Sequence, residues 1–285
     1  MLKVILTRMR QGYRTMKFPA GPPPALPDFF RGRPCIRNGA CAEGCPPLCD
    51  ACQSACPTGA IFRASDGSGA RSVPSVDLGK CLFCLDCERA CPAAAIRFTK
   101  DYRLAVRKRE DLILTPEKRE LELAIELERK MKRLLGRSLK LRQVSAGGCG
   151  ACEADVNVLS TIGWDLGRFG IQFVASPRHA DGLLVTGPVT KNMELALRKT
   201  YDAMPDPKIV IASGSCAIAG GPYLGHEDTN DGVGALLPVD LFIPGCPPHP
   251  LTVLDGLLRL VGKIQDTPRG RALRHEEEHE SLAPE

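Results

Sequence analysis

Cysteine is the residue type with chemistry to offer here, since the chain holds 14 of them in 285 residues. Cys49, Cys52 and Cys56 with Pro57 read C-x2-C-x3-C-P, and adding 35 to each number lands on Cys84, Cys87 and Cys91 with Pro92. The same offset carries Ala60 and Ile61 onto Ala95 and Ile96, so one unit is present twice. Cys81 completes the second copy as C-x2-C-x2-C-x3-C-P, the run that ligates 4Fe–4S clusters. Short loops of this kind point several thiolates inward at once, which suits a soft, electron-rich iron–sulfur core. A lone C-x2-C would leave zinc or a redox pair open; two full copies, each closed by Cys-Pro, argue against both.

The run resembles bacterial-type two-cluster ferredoxins, in which the fourth cysteine of each run ligates the other cluster. The resemblance implies one cluster on Cys49, Cys52, Cys91 and an upstream cysteine, and a second on Cys56, Cys81, Cys84 and Cys87. The repeat would put the upstream ligand at position 46, which is Pro46. Cys45, one residue away, is the expected ligand, with Cys41 as the alternative and Cys35 further off.

The elements that position these residues follow from composition shifts. Residues 20–34 hold five prolines, and proline lacks the N–H for a ladder or helix bond, so 1–34 reads as an extended arm. The ferredoxin domain takes 35–114. Residues 115–140 read as a connecting helix: Thr115 and Pro116 make a start, Gly136 a stop, and Leu123, Leu127, Met131 and Leu134 an apolar stripe. In 141–265, "GIQFVAS", "DGLLVTG" and "PKIVIASG" are short apolar strands, and "NMELALRKTYDAM" is a crossover helix. Alternating strand and helix predicts a parallel sheet covered on both faces, with its sites in loops beyond the strand carboxyl ends. Residues 266–285 are charged and poor in large apolar groups, a disordered tail. The fold class is therefore α/β, an α+β ferredoxin-like domain followed by a parallel-sheet domain.

The second domain has four cysteines, each in an expected loop: Cys149, Cys152, Cys216 and Cys246. From spacing alone they suit zinc or an iron–sulfur cluster. "SAGGCGACEADVNVL", "YDAMPDPKIVIASGSCAIAGG" and "PVDLFIPGCPPHPLTVLDGLLRL" resemble the small subunit of membrane-bound, energy-converting nickel–iron hydrogenases, a domain shared with the 20-kDa subunit of respiratory complex I. The resemblance implies a flavodoxin-like domain and a third 4Fe–4S cluster on those four positions, hence three clusters in all. The first part of the chain is similar to the two-cluster subunit of formate hydrogenlyase-type complexes, so the chain looks like a fusion of two adjacent subunits. Gly150 and Ala151 separate Cys149 from Cys152, as in the hydrogenase branch; complex I relatives carry two adjacent cysteines.

The function implied is electron transfer between the ferredoxin clusters and a cluster facing a catalytic chain. The expected partners are a nickel–iron large subunit (or a complex I 49-kDa-like subunit), membrane subunits and an electron donor. Quinone reduction and a purely structural scaffold are the competing readings. Glu153, directly after the cluster loop, is a candidate proton relay, with Asp155 near it. His179 and His249 are read as satisfied surface histidines, with a hydrogen bond to a cluster sulfur or a place at the partner interface as the alternative. No export signal and no apolar run of membrane length is expected, which places the chain in the cytoplasm at the inner face of the membrane. A net charge of +5, spread along the chain, gives no nucleic-acid stripe.

Overall fold

The computed structural model describes residues 2–37, 41, 45–46, 49–63, 74–115, 118, 121–124 and 138–264. Among these, the carboxyl half is a five-stranded parallel sheet built from β6 (Leu139–Ser145), β7 (Ile171–Phe173), β8 (Gly182–Thr186), β9 (Ile209–Ser213) and β10 (Leu241–Ile243). The spatial order is β10-β9-β8-β6-β7, every neighbouring pair parallel. Counted from β6 this is the flavodoxin order 2-1-3-4-5, whose reversal point lies between β6 and β8. β8 and β9 are buried at every position, which is why they read as continuous apolar runs rather than as alternation. Helix α4 (Ala151–Val158) follows β6, α5 (Lys191–Asp202) crosses from β8 to β9, and the short α6 (Ser215–Ala219) follows β9. The last helix, α7 (Pro250–Leu260), is buried along its whole length. Its start is set by Pro250 at the first turn and by His249, whose Nδ1 accepts the Leu251 N–H at 3.1 Å.

The amino half carries short strands. β1 (Pro34–Ile36) pairs antiparallel with β4 (Ile96–Phe98), which sets Cys35 opposite Arg97 in a strand. β2 (Ile61–Phe62), β3 (Ser75–Asp77) and β5 (Ile113–Leu114) form a second small antiparallel sheet. The helical turns α2 (Ala51–Ser54) and α3 (Asp86–Ala90) are the two copies of the repeat, each carrying a cysteine.

The two halves share one core. A single buried cluster joins Ile61, Leu78, Ile96 and Leu112 to Val144, Val185 and Ala212. Val106 and Phe242 exchange backbone hydrogen bonds of 3.0 and 2.9 Å, so the segment after β4 extends the edge of the large sheet at β10.

Two expected elements are corrected. Residues 121–124 are not helical: Leu123 bridges Val106, and the Ala124 N–H donates to Ala105 O at 2.7 Å. Tertiary pairing takes the backbone groups that a helix would have used, and Leu139 and Lys140 at the end of that stretch already belong to β6; residues 125–137 and the tail from 265 lie outside the described residues. The arm is not extended throughout, because Leu2–Gln11 forms a helix, α1. Beyond it the arm wraps its own chain. Phe18 is buried in the α/β core against Tyr102, and the Gly32 N–H reaches Thr99 O at 2.7 Å.

Candidate metal centres

The duplicated sequence produces a duplicated bond. Ala60 N–H points at Cys56 Sγ and Ala95 N–H at Cys91 Sγ, both at 3.2 Å. Cys56, Cys81, Cys84 and Cys87 line one cavity, walled by Ile61, Val76, Ile96 and Phe98. The loop that presents them is strained: Phe83 and Leu85 hold φ of 56° and 71° without being glycine. That turn aims the Phe83 N–H at Cys81 Sγ, 3.3 Å away. Burial, then the neighbouring Cys56 and Cys84, pushes Cys87 up to about 12.

The other ferredoxin set gathers five cysteines. Burial and then Cys41, Cys91 and Cys49 push Cys45 up to about 12, and Cys41 is also within hydrogen-bond reach of Cys45. Cys41 is buried beside Ala93 and Ala95, with Cys45 and Cys91 packed on it. Cys52 is raised by burial, while the Arg63 guanidinium bonded to it pulls the other way. Cys35 lies in β1, opposite Arg97 of β4.

In the α/β half, each cysteine sits just past a strand end. Cys149 and Cys152 follow β6 and open α4, Cys216 lies in α6 after β9, and Cys246 follows β10. They meet at one end of the sheet beside the reversal point. Glycine makes the approach possible: Gly214 has φ +93°, and a Cβ there would stand 2.6 Å from Cys152 Sγ. A Cβ on Gly221 would stand 2.8 Å from Cys216 Sγ. Burial and then Cys246 and Cys149 push Cys216 up to about 11, and Cys152 rises further, by burial and then Cys216, Glu153 and Cys246.

All three sets fit an iron–sulfur core. Buried thiols that repel one another's charge lose their protons only when a cationic metal core takes their place, and N–H groups aimed at sulfur then hold the thiolates. Among the described residues no three His, Cys, Asp or Glu side chains gather around a point for one metal ion.

The sets are joined in a row. Cys52 of the first raises Cys87 of the second, and Cys84 of the second raises Cys246 of the third. Ser215 Oγ, next to Cys216, donates to Cys81 O at 2.6 Å. Neither Ser215 nor Gly214 stands out in the sequence, since their partners are remote in the chain.

Glu153, the acid directly after the cysteine loop, is held by two hydroxyl groups. Burial raises its pKa, but hydrogen bonds from Ser145 and Thr186 outweigh this and hold it below the ordinary glutamate range. Its Oε1 accepts from Thr186 Oγ1 at 2.6 Å and from Ser145 Oγ at 2.5 Å, tying α4 to β6 and β8. These two bonds hold the start of α4, with the cysteine loop before it, against the sheet. Asp155 is raised by burial and lines a recess beside Cys246 and His249. His249 is kept neutral by burial, caps α7 and packs edge-on against Phe30 and Trp164; His179 is exposed.

Comparison with known proteins agrees with this division. The family model described as NADH ubiquinone oxidoreductase, 20 Kd subunit, matches residues 149–260, and the 4Fe-4S dicluster domain model matches 47–95. A probable membrane-bound hydrogenase subunit, mbhJ, of Pyrococcus furiosus is 40% identical over 138 residues, 48% of this chain and 83% of the relative. A chain in the structure of the membrane-bound sulfane sulfur reductase, an archaeal respiratory membrane complex, is 32% identical, with 55% of this chain and 90% of that chain covered and a TM-score of 0.42.

Proposed function

The chain belongs to the family of the 20 Kd subunit of NADH ubiquinone oxidoreductase and the membrane-bound hydrogenase small subunits, and from that premise we propose that it carries electrons through three 4Fe–4S clusters to a nickel–iron partner. It is an iron–sulfur electron-transfer subunit of an oxidoreductase complex. When bound, such clusters supply one-electron carriers whose potentials are set by hydrogen bonds to sulfur and by solvent exposure.

The observation that carries the proposal is that the three cysteine sets lie along one shared core, near enough for Cys52 to act electrostatically on Cys87 and Cys84 on Cys246. On this reading Cys45, Cys49, Cys52 and Cys91 hold the outer cluster, Cys56, Cys81, Cys84 and Cys87 the middle one, and Cys149, Cys152, Cys216 and Cys246 the inner one. Cys149 and Cys246 are exposed, so the partner chain docks over them. Thr186 and Ser145 hold Glu153 and with it the start of α4, and Asp155 is the acid placed to exchange a proton beside that interface. The C-x2-C spacing of Cys149 and Cys152 favours hydrogenase over quinone chemistry. Membrane subunits and a donor complete the assembly at the inner face of the membrane; no helix among the described residues is long and apolar enough to cross it.

The test is the complex purified anaerobically with its partners. Nickel, together with H2 production from a reduced dye, supports the proposal. A nickel-free complex that reduces a quinone and makes no H2 contradicts it.

A further inference from the structure

We propose that α1 is an interfacial helix that lays its apolar stripe into an anionic lipid surface. Leu2, Ile5, Leu6 and Met9 recur at i, i+3, i+4 and i+7, the spacing of one helical face. Among the described residues nothing covers that face: no residue of α1 is buried, and Leu2 and Met9 are 72% and 75% exposed. At about 100° per residue, Lys3 and Arg10 flank the stripe on one side and Arg8 on the other. Cations on both edges of a narrow apolar face let their stems lie along hydrocarbon while their charges reach phosphate headgroups.

Charge singles out the occupant. Residues 1–27 contain five Lys and Arg and no Asp or Glu, against a net charge of +5 for the whole chain. A rim that is entirely cationic complements a continuous anionic surface. A protein partner would need an acidic rim of its own to match it. Ten residues reach about 15 Å, about half the hydrocarbon thickness, so the helix lies on a bilayer and does not span it.

The attachment of α1 suits this role. Directly after it, Thr15 Oγ1 donates to Ile162 O at 3.0 Å and Met16 N–H to Gly163 O at 2.9 Å. Arg168 donates to the carbonyls of Met16 and Phe18 at 2.6 and 2.7 Å. The helix therefore projects from a fixed point on the α/β half. Tyr13 and Ile162, both widely exposed, stand beside that anchor, and tyrosine is enriched at headgroup level. The proposal concerns this helix alone and stands or falls separately from the identity of the catalytic partner.

The experiment is flotation of the full iron-loaded chain with vesicles of phosphatidylglycerol and phosphatidylcholine, and with vesicles of phosphatidylcholine alone. The wild type should float with the anionic vesicles, and added salt should weaken this. Ile5→Asp combined with Met9→Asp should cut binding on the order of tenfold or more. Arg8→Gln and Arg10→Gln should each cost about fivefold on anionic vesicles only. Unchanged iron content in each variant confirms that the fold survives. Wild-type chain that ignores anionic vesicles, or variants that bind as it does, overturn the proposal. So does a wild type that ignores vesicles while the variants fall off the assembled complex, because the helix would then dock on protein.

Discussion

Ser215 Oγ donates to Cys81 O at 2.6 Å although the two residues are 134 positions apart. One opens α6, the helix carrying Cys216, the other belongs to the ferredoxin run, and both are buried. Gly245 O, one residue before Cys246, lies 3.1 Å from the same hydroxyl. A single side chain thus sits at the junction of the middle and inner cysteine sets.

Ser215→Ala should expose that dependence. It leaves buried carbonyls without their donor, at a cost of about 1–3 kcal/mol in unfolding stability. Electron transfer between the middle and inner centres should slow while iron content stays as in the wild type. Denaturant titration and freeze-quenched paramagnetic resonance after reduction are the measurements; identical stability and kinetics would remove the junction from the account.

Gly214→Ala addresses the inner set. The added methyl would stand 2.6 Å from Cys152 Sγ on a backbone at φ +93°, so the cysteine must move. The variant should lose about a third of its iron, about four atoms of about twelve. Full iron retention would mean that Cys152 is not a ligand.

How much of this was legible in the sequence varies with the range of the signal. The tandem repeat brings Cys56 and Cys91 into matching environments, down to the N–H groups of Ala60 and Ala95. β8 and β9 were legible because they are buried on both faces. β6 was missed: its Leu139-Lys140-Leu141-Arg142 stretch alternates, and its pairing with β7 and β8 is not local. The connecting helix failed at Leu123 for a similar reason, since Val106 claims it. α1 was missed because counting consecutive apolar residues overlooks the spacing of Leu2, Ile5, Leu6 and Met9. Ser215 meets Cys81 only once the two halves pack, and no local pattern announces that.

The two acids beside the inner set should separate. Glu153 has a depressed pKa in the fold, so its contribution to stability is present above about pH 4.3, the unfolded value, and is lost as pH falls through the folded one. Glu153→Gln should therefore narrow the loss of stability on acidification below that pH, and alter the resonance spectrum of the inner centre. Asp155→Asn should leave spectra unchanged and slow H2 production by about 10², the size of a lost proton-transfer group. If Glu153→Gln shows the rate loss and Asp155→Asn does not, the relay belongs to Glu153.

Cys45 and Cys91 both pack on the buried cluster of Cys41, Ala93 and Ala95, and the repeat favours Cys45. Cys45→Ser should cost the outer cluster, about four irons, and Cys41→Ser should cost none. Loss of iron from Cys41→Ser alone would move the ligand to Cys41.

The most direct test of the account is a reductive titration of the anaerobically purified chain, followed by paramagnetic resonance together with iron and zinc analysis. Three clusters give about twelve irons per chain and three signals that reduce and reoxidise reversibly. Iron near eight with zinc making up the difference, or clusters that do not cycle, would contradict a chain built to carry electrons from Cys45 to Cys246.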